Sequence, residues 1–111
     1  MFTLSLVRAA QKELAKLPHG LYAAMIDLME ELGEAGNNLK EPKVRDVGNG
    51  LKELRVNAQE GIARGFFFFE IDRRIYVVHI LHKKSPKTPK SALELAKNRM
   101  RDLKRGLQDG R

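Results

Sequence analysis

Residues 62–81 read Ile62-Ala63-Arg64-Gly65-Phe66-Phe67-Phe68-Phe69-Glu70-Ile71-Asp72-Arg73-Arg74-Ile75-Tyr76-Val77-Val78-His79-Ile80-Leu81, and this stretch decides the fold. Two runs rich in aromatic and β-branched residues flank the polar triplet Asp72-Arg73-Arg74, the pattern of a β-hairpin. The second run, Ile75 to Leu81, is almost wholly apolar, which predicts a central strand covered on both faces.

Upstream, Leu51-Lys52-Glu53-Leu54-Arg55-Val56 alternates with period two and joins the same sheet through the polar turn Asn57 to Gly61. Gly48-Asn49-Gly50 is a turn signal, preceded by a short strand at Lys43 to Val47 inside the Asn-, Pro- and Gly-bearing connection from Asn37 to Gly50. Before that the pattern is helical. Val7, Ala10, Leu14 and Leu17 fall at helical spacing, Pro18 and Gly20 interrupt, and Leu21, Met25, Leu28 and Leu32 continue to a stop at Gly33 or Gly36. Two short helices sharing one apolar seam make an α-hairpin, and the weak alternation of the first few residues adds a short leading strand.

Downstream, Thr88 is placed to N-cap a final helix with Pro89 at its first position. Leu93, Ala96, Met100, Leu103 and Leu107 follow at spacings of three and four, and Gly106 or Gly110 ends the helix. The expected fold is α/β of the α+β kind. An N-terminal α-hairpin packs on a twisted, mainly antiparallel sheet of three or four strands, followed by a C-terminal helix, with residues 1–111 as a single domain.

Charge is distributed unevenly. The chain carries a formal +7, and from Lys83 onward there are ten Lys/Arg against three Asp/Glu, while residues 1–82 hold eleven of each. A surplus confined to one region points to a polyanion, and for a small protein that is most often nucleic acid. Hydrophobic residues at 42% and charged residues at 32% describe a globular chain rather than a disordered one. With no cysteine, neither disulfides nor a thiolate metal site is available. Arg8 interrupts the apolar start too early for a signal-peptide core, and no later run is long enough to span a bilayer, so a cytoplasmic protein of a prokaryote or phage is expected.

Strand alternation sorts the candidate site residues. Glu53, Arg55 and Asn57 share a face, as do Arg64, Phe66, Phe68 and Glu70. Arg64 sits between small and aromatic residues, where a solvated charge is out of place. It reads either as an arginine paired with Glu53 or Glu70, or as a guanidinium on a concave sheet face set to hold a phosphate bidentately. The run His82-Lys83-Lys84-Ser85-Pro86-Lys87-Thr88-Pro89-Lys90 leaves the apolar strand and reaches a helix N-terminus, itself a favourable place for an anion. Its lysines are either a solvated loop or, beside Arg55 and Arg64, the wall of a phosphate-sized pocket. The lysines of the last helix, with Arg99, Arg101 and Arg105, read as its exposed face.

Of three histidines, His19 lies in the helix-hairpin turn and His79 is grouped with Ile75, Val77 and Leu81 as a core histidine. His82, at the strand end beside the lysines, is the one placed for proton transfer. Tyr76 is grouped with Val78, Ile80 and His82. There is no metal-ligand spacing, glycine-rich phosphate loop or nucleophile motif, so no metal or cofactor is expected. An enzyme built this way leaves the nucleophile to its substrate. RNA meets that requirement, because its 2′-hydroxyl can attack the adjacent phosphate while the protein positions the backbone and stabilises the developing charge.

Three elements carry a family resemblance. They are Leu51-Lys52-Glu53-Leu54-Arg55, Arg64 opening an aromatic strand, and Val78-His79-Ile80-Leu81-His82-Lys83-Lys84-Ser85-Pro86-Lys87-Thr88-Pro89 ahead of a basic helix. With the leading hairpin from Ala9-Ala10-Gln11-Lys12-Glu13-Leu14 to Leu17-Pro18, the chain resembles the phage-derived branch of the RelE/HigB toxin superfamily over residues 3–105. The resemblance implies a toxin of a type II toxin–antitoxin system: an mRNA endonuclease working in the ribosomal A site and silenced by a HigA-like helix-turn-helix antitoxin.

It further implies that Arg64 grips the scissile phosphate and Lys84 stabilises developing charge, with Arg55 and Lys83 orienting the backbone. His82 is the candidate acid or base, and Lys87 and Lys90 extend the RNA-binding surface. Many relatives carry a tyrosine or histidine near the C-terminal helix for proton transfer, and here that region has neither. Two other readings stand beside this one: a ParE-like toxin that inhibits DNA gyrase without catalysis, and a non-enzymatic RNA-binding module.

Overall fold

The phenylalanine run and the apolar run after it do pair as a hairpin, β4 (Gly61–Glu70) with β5 (Arg74–Lys83), in the computed structural model, which describes residues 1–85 and 87–109. Asp72 and Arg73 close it at φ of 61° and 55°, the left-handed region that tight hairpin turns require. Around this pair stand β1 (Thr3–Leu6), α1 (Arg8–Ala15), α2 (His19–Ala35), a 3-10 turn at Gly36–Asn38, β2 (Val44–Gly48), β3 (Leu51–Ala58) and α3 (Lys90–Asp109).

The sheet has five strands in the order β1-β5-β4-β3-β2, one more than the upper expectation. All neighbours are antiparallel except β1, which runs parallel to β5. The short stretches 3–6 and 44–48 both pair, because each lies beside a long strand that supplies its hydrogen bonds.

The helices cover opposite faces of the sheet. On one side α1 and α2 bury Ala10, Leu14, Leu17, Leu21, Met25 and Leu32 against Leu54, Val56, Ala63, Phe67, Ile75, Val77 and Ile80. On the other, Ala92, Ala96 and Met100 of α3 pack on Leu51, Phe66, Phe68 and Val78. At roughly 1.5–3 kcal/mol per fully buried large side chain, the alternating phenylalanines anchor both layers at once. α2 ends at Gly36, whose φ of 55° and whose missing side chain, where a Cβ would overlap the Phe2 ring, both demand glycine.

At α3 the capping expectation is corrected and one of the two expected stops is excluded. The helix starts at Lys90, so Pro89, whose carbonyl accepts from Ala92 and Leu93, takes the capping position instead of Thr88. At the other end it runs through Gly106 to Asp109; the alternative stop, Gly110, lies outside the described residues.

A bulge in β5 corrects the face assignments. Phe66 pairs with His79 but Phe67 pairs with Val77, so Val78 is an extra residue and the alternation shifts by one beyond it. His79 and Leu81 therefore lie on the α3 side with Tyr76 and Val78, while Ile80 and His82 lie on the hairpin side with Ala63. His79 is indeed a satisfied buried histidine, but its neighbours are Phe66, stacked at 5.7 Å, and the Glu13 carboxylate at 2.9 Å.

Just past the bulge β1 has ended, and side chains take over the edge of β5. Glu13 accepts the Ile80 N–H at 3.0 Å, and Arg99 donates to the Val78 carbonyl at 3.0 Å and to Glu13 at 2.9 Å. Arg99, expected on the exposed face of α3, is thus turned inward to this edge.

Candidate functional site

The candidate residues converge at one end of the sheet, where β3 finishes, β4 begins and β5 exits. Arg55 stands directly opposite Arg64 across the β3–β4 ladder, and Glu53 stands opposite Arg45 on β2 and Phe66 on β4. Two guanidinium groups facing each other across a ladder cost stability rather than add it, since like charges at directly opposed positions repel.

Arg64 is 1% exposed and Glu53 is 2% exposed. The Arg64 Nε lies 3.5 Å from Glu53 Oε1, and its Nη1 donates to the Ser85 carbonyl at 3.5 Å. The salt-bridged reading of Arg64 is thus the geometry observed, with Glu53 as the partner. Thr88, released from capping duty, donates its hydroxyl to Glu53 Oε2 at 2.8 Å. Contacts from Ser85 and Thr88 bring the exit loop back over the buried pair.

Burial pulls the Arg64 guanidinium below its ordinary pKa, the Glu53 carboxylate opposes that, and the charges of Arg55 and Arg45 push it down again. The Glu53 carboxylate, paired with Arg64, thus sits among three arginines. The cluster opens to solvent through a cavity of about 360 Å³ lined by Glu41, Pro42, Arg45, Glu53 and Arg55. Arg45 was not among the expected site residues; its only sequence signal is the short strand that brings it level with Glu53.

Lys83 pairs with Ile62 two residues along from the Arg64–Leu81 pair, so it shares the face of Arg55 and Arg64. Lys83, Lys84, Lys87 and Lys90 are all exposed, and among the described residues none is in an ion pair. Together they form a cationic rim at the exit of β5.

His82 is not part of this group. The bulge turns it to the hairpin side, opposite Ala63, where its Nε2 lies 3.1 Å from the Glu60 carbonyl. Tyr76 is on the correct face but packs against Phe68 at 5.7 Å toward the other end of β5. Glu53 is then the buried carboxylate that lines the cavity, held by Thr88 on one oxygen. Among the described residues no group of three or more His, Asp or Glu is arranged to hold a metal ion, and no helix is long and apolar enough to cross a membrane.

A model of the family described as Phage derived protein Gp49-like (DUF891) matches residues 12–101. No curated protein matches the chain. Among solved structures, the chain is similar to one from the RelBE2 toxin–antitoxin complex of Mycobacterium tuberculosis, at 19% identity over 74% of this chain and 98% of that one, with a TM-score of 0.57. It is similar to one from the intact RelBE toxin–antitoxin complex of E. coli, at 13% identity over 77% of this chain and 100% of that one, with a TM-score of 0.58. A third likeness is to the archaeal RelE–RelB complex of Pyrococcus horikoshii OT3, at 16% identity, 78% and 98% coverage and a TM-score of 0.55. At these identities the likeness is one of fold.

Proposed function

Because the chain belongs to the phage-derived Gp49-like family, a family of the RelE/HigB toxin type, we propose that it is the toxin of a type II toxin–antitoxin pair that cleaves mRNA on the ribosome. The observation that carries this reading is the Arg55–Arg64 pair, two like charges set opposite each other beside a rim of exposed lysines. Directly opposed like charges add nothing to the strand ladder itself, whereas a phosphodiester passing through a more highly charged transition state gains from them.

In the proposed reaction the RNA 2′-oxygen attacks the adjacent phosphorus and the 5′-oxygen of the following nucleotide leaves. One proton is taken from the hydroxyl and one is given to the leaving oxygen. Arg55, Lys83 and Lys84 contact the phosphate from the accessible side. Arg64, covered by Ser85, acts from behind: its charge holds Arg55 forward and orients Glu53. We assign the first proton transfer to Glu53 in place of His82, because Glu53 lines the cavity while His82 faces the other side of the sheet. Lys87 and Lys90 extend the phosphate track toward α3. We further propose that a helix-turn-helix antitoxin partner covers this end of the molecule and that the protein acts in the cytoplasm as one domain.

Primer extension on mRNA from cells expressing the chain tests this. Breaks at fixed positions within codons are expected, and they disappear in Arg55→Ala. Growth arrest without such breaks would instead point to a gyrase-directed or purely binding role.

A further inference from the structure

A second cationic surface lies beside α3 and the β2–β3 turn. A cleft of about 610 Å³ runs between them, and its lining includes Asn49, Lys97, Arg101, Lys104 and Arg105, with Glu94 as the one acidic residue. Lys97 and Lys104 lean over the turn: their ammonium nitrogens come within 4.0 Å and 3.9 Å of where side chains would begin at Gly48 and Gly50. Gly48, Asn49 and Gly50 all have positive φ, at 99°, 59° and 84°, so the turn is a tight, side-chain-poor wall.

Along α3, Lys97, Arg101 and Arg105 are spaced i, i+4, and Lys104 lies three residues beyond Arg101. Like charges at those spacings repel and destabilise a helix. None of these four cations is in an ion pair among the described residues, although α3 does use Arg99 for one. The cleft therefore gathers four cations against the single carboxylate of Glu94, with Arg101 hydrogen-bonded to Asn98 and no ion pair to any of the four among the described residues.

What it lacks identifies the ligand. Among the described residues no aromatic ring lines it, and Phe68 is capped by the Lys104 ammonium at 5.2 Å from the ring centre. Surfaces that hold single-stranded nucleic acid combine cations with aromatic faces on which unpaired bases stack. Cations without stacking platforms suit a partner whose bases are already paired and whose phosphates face outward.

We propose that the cleft formed by Lys97, Arg101, Lys104 and Arg105 with the Gly48–Gly50 turn docks the phosphate backbone of double-helical RNA. It is separate from the Arg55–Arg64 end, which takes a single strand. The identity of the duplex as RNA rests on the RNA-directed reading of that neighbouring end. The Gly48–Gly50 turn leads directly into β3, along which Leu51 and Arg55 are about 13 Å apart at strand rise, so one folded RNA can engage both. The helical cleft supplies affinity without sequence preference, and the strand end supplies the chemistry.

The test uses the full chain and two probes, a loop-free duplex RNA and a single strand of uridines of equal length. The variant is the triple substitution Lys97→Gln, Arg101→Gln and Lys104→Gln, and its control is Lys12→Gln, Lys16→Gln and Arg73→Gln, which removes equal charge elsewhere. Duplex affinity is expected to fall by more than about tenfold in the cleft variant and its log–log salt slope by about 2–3, while the control stays near wild type. Binding of the uridine strand stays within about twofold.

Equal losses in the cleft and control variants overturn the proposal, because net charge alone would explain them. So does a uridine-strand loss as large as the duplex loss, or a cleft variant that loses its antitoxin but keeps the duplex. The separate loss of mRNA cleavage in Arg55→Ala reports on the catalytic reading, so failure of one proposal is distinguishable from failure of the other.

Discussion

Two polar clusters sit inside this small fold, and they are built on opposite terms. Glu13, His79 and Arg99 join α1, β5 and α3, and their charges close on themselves. One carboxylate receives the Ile80 N–H, the His79 ring and the Arg99 guanidinium, and the bonds from the Ile80 N–H and to the Val78 carbonyl complete the unpaired edge of β5. Across the sheet, on the other side of Phe66 from His79, Glu53 stands among Arg45, Arg55 and Arg64 with the exposed Glu41 at the mouth of their cavity, and the lysines of the exit loop add further positive charge. The first cluster is what a fold needs. The second holds more cations than carboxylates, and we read that surplus as a binding site rather than scaffold. Compensation within the chain, more than burial alone, separates a structural polar cluster from a functional one.

The sharpest attempt to break this contrast is Arg64→Ala. If Arg64 and Glu53 are a buried pair, removing one partner strands a charge and costs about 3–5 kcal/mol, read as a lower urea midpoint. An unchanged midpoint would mean the pair is better solvated than its geometry indicates. The same logic makes Arg64→Ala a poor test of catalysis, since loss of activity and loss of fold would coincide.

Arg55→Ala and Lys84→Ala are the cleaner catalytic probes because both side chains reach solvent. Each is expected to lower the mRNA cleavage rate by about 10²–10³-fold with little change in melting temperature. Full toxicity in both would remove the phosphate grip from this end of the sheet.

The compensated cluster predicts a different outcome. Glu13→Gln keeps the shape but removes the charge that answers Arg99, so stability falls by about 1.5–3 kcal/mol while cleavage per folded molecule is unchanged. A selective loss of cleavage would merge the two clusters into one functional network.

The smallest effect is in pH. Burial pushes the Glu13 carboxyl up, but the Ile80 N–H, His79 and Arg99 outweigh it and hold it below its ordinary value. A carboxyl with a depressed folded pKa adds stability above its unfolded pKa. That stability is lost as pH falls from the ordinary carboxylate range through the folded value. Denaturation followed from neutral pH downward should show that loss in wild type and a flatter curve in Glu13→Gln.

Much of the architecture was legible along the chain. Leu21, Met25, Leu28 and Leu32 announced α2, the alternation from Leu51 announced β3, and the basic stretch from Lys83 located the surplus charge at the exit of β5. Arg64 looked out of place in its strand for a sound reason: it is buried against a carboxylate. The fates of His82 and Tyr76 were not legible, because Ile75 to Leu81 is apolar on both parities and carries no signal of where its alternation slips. Thr88 looked like a cap because its own neighbours could not reveal that Glu53, 35 residues earlier, needed its hydroxyl more.

Local periodicity and charge order thus determined the elements, their sequence and the cationic character of one region, since each depends on neighbours within a few residues. Tertiary packing alone decided three other features: the bulge at Val78, the burial of Arg64 beneath Ser85, and the meeting of Glu13 with His79 and Arg99 from 66 and 86 residues away. Those depend on register and contact between layers, which no spacing within a single segment can encode.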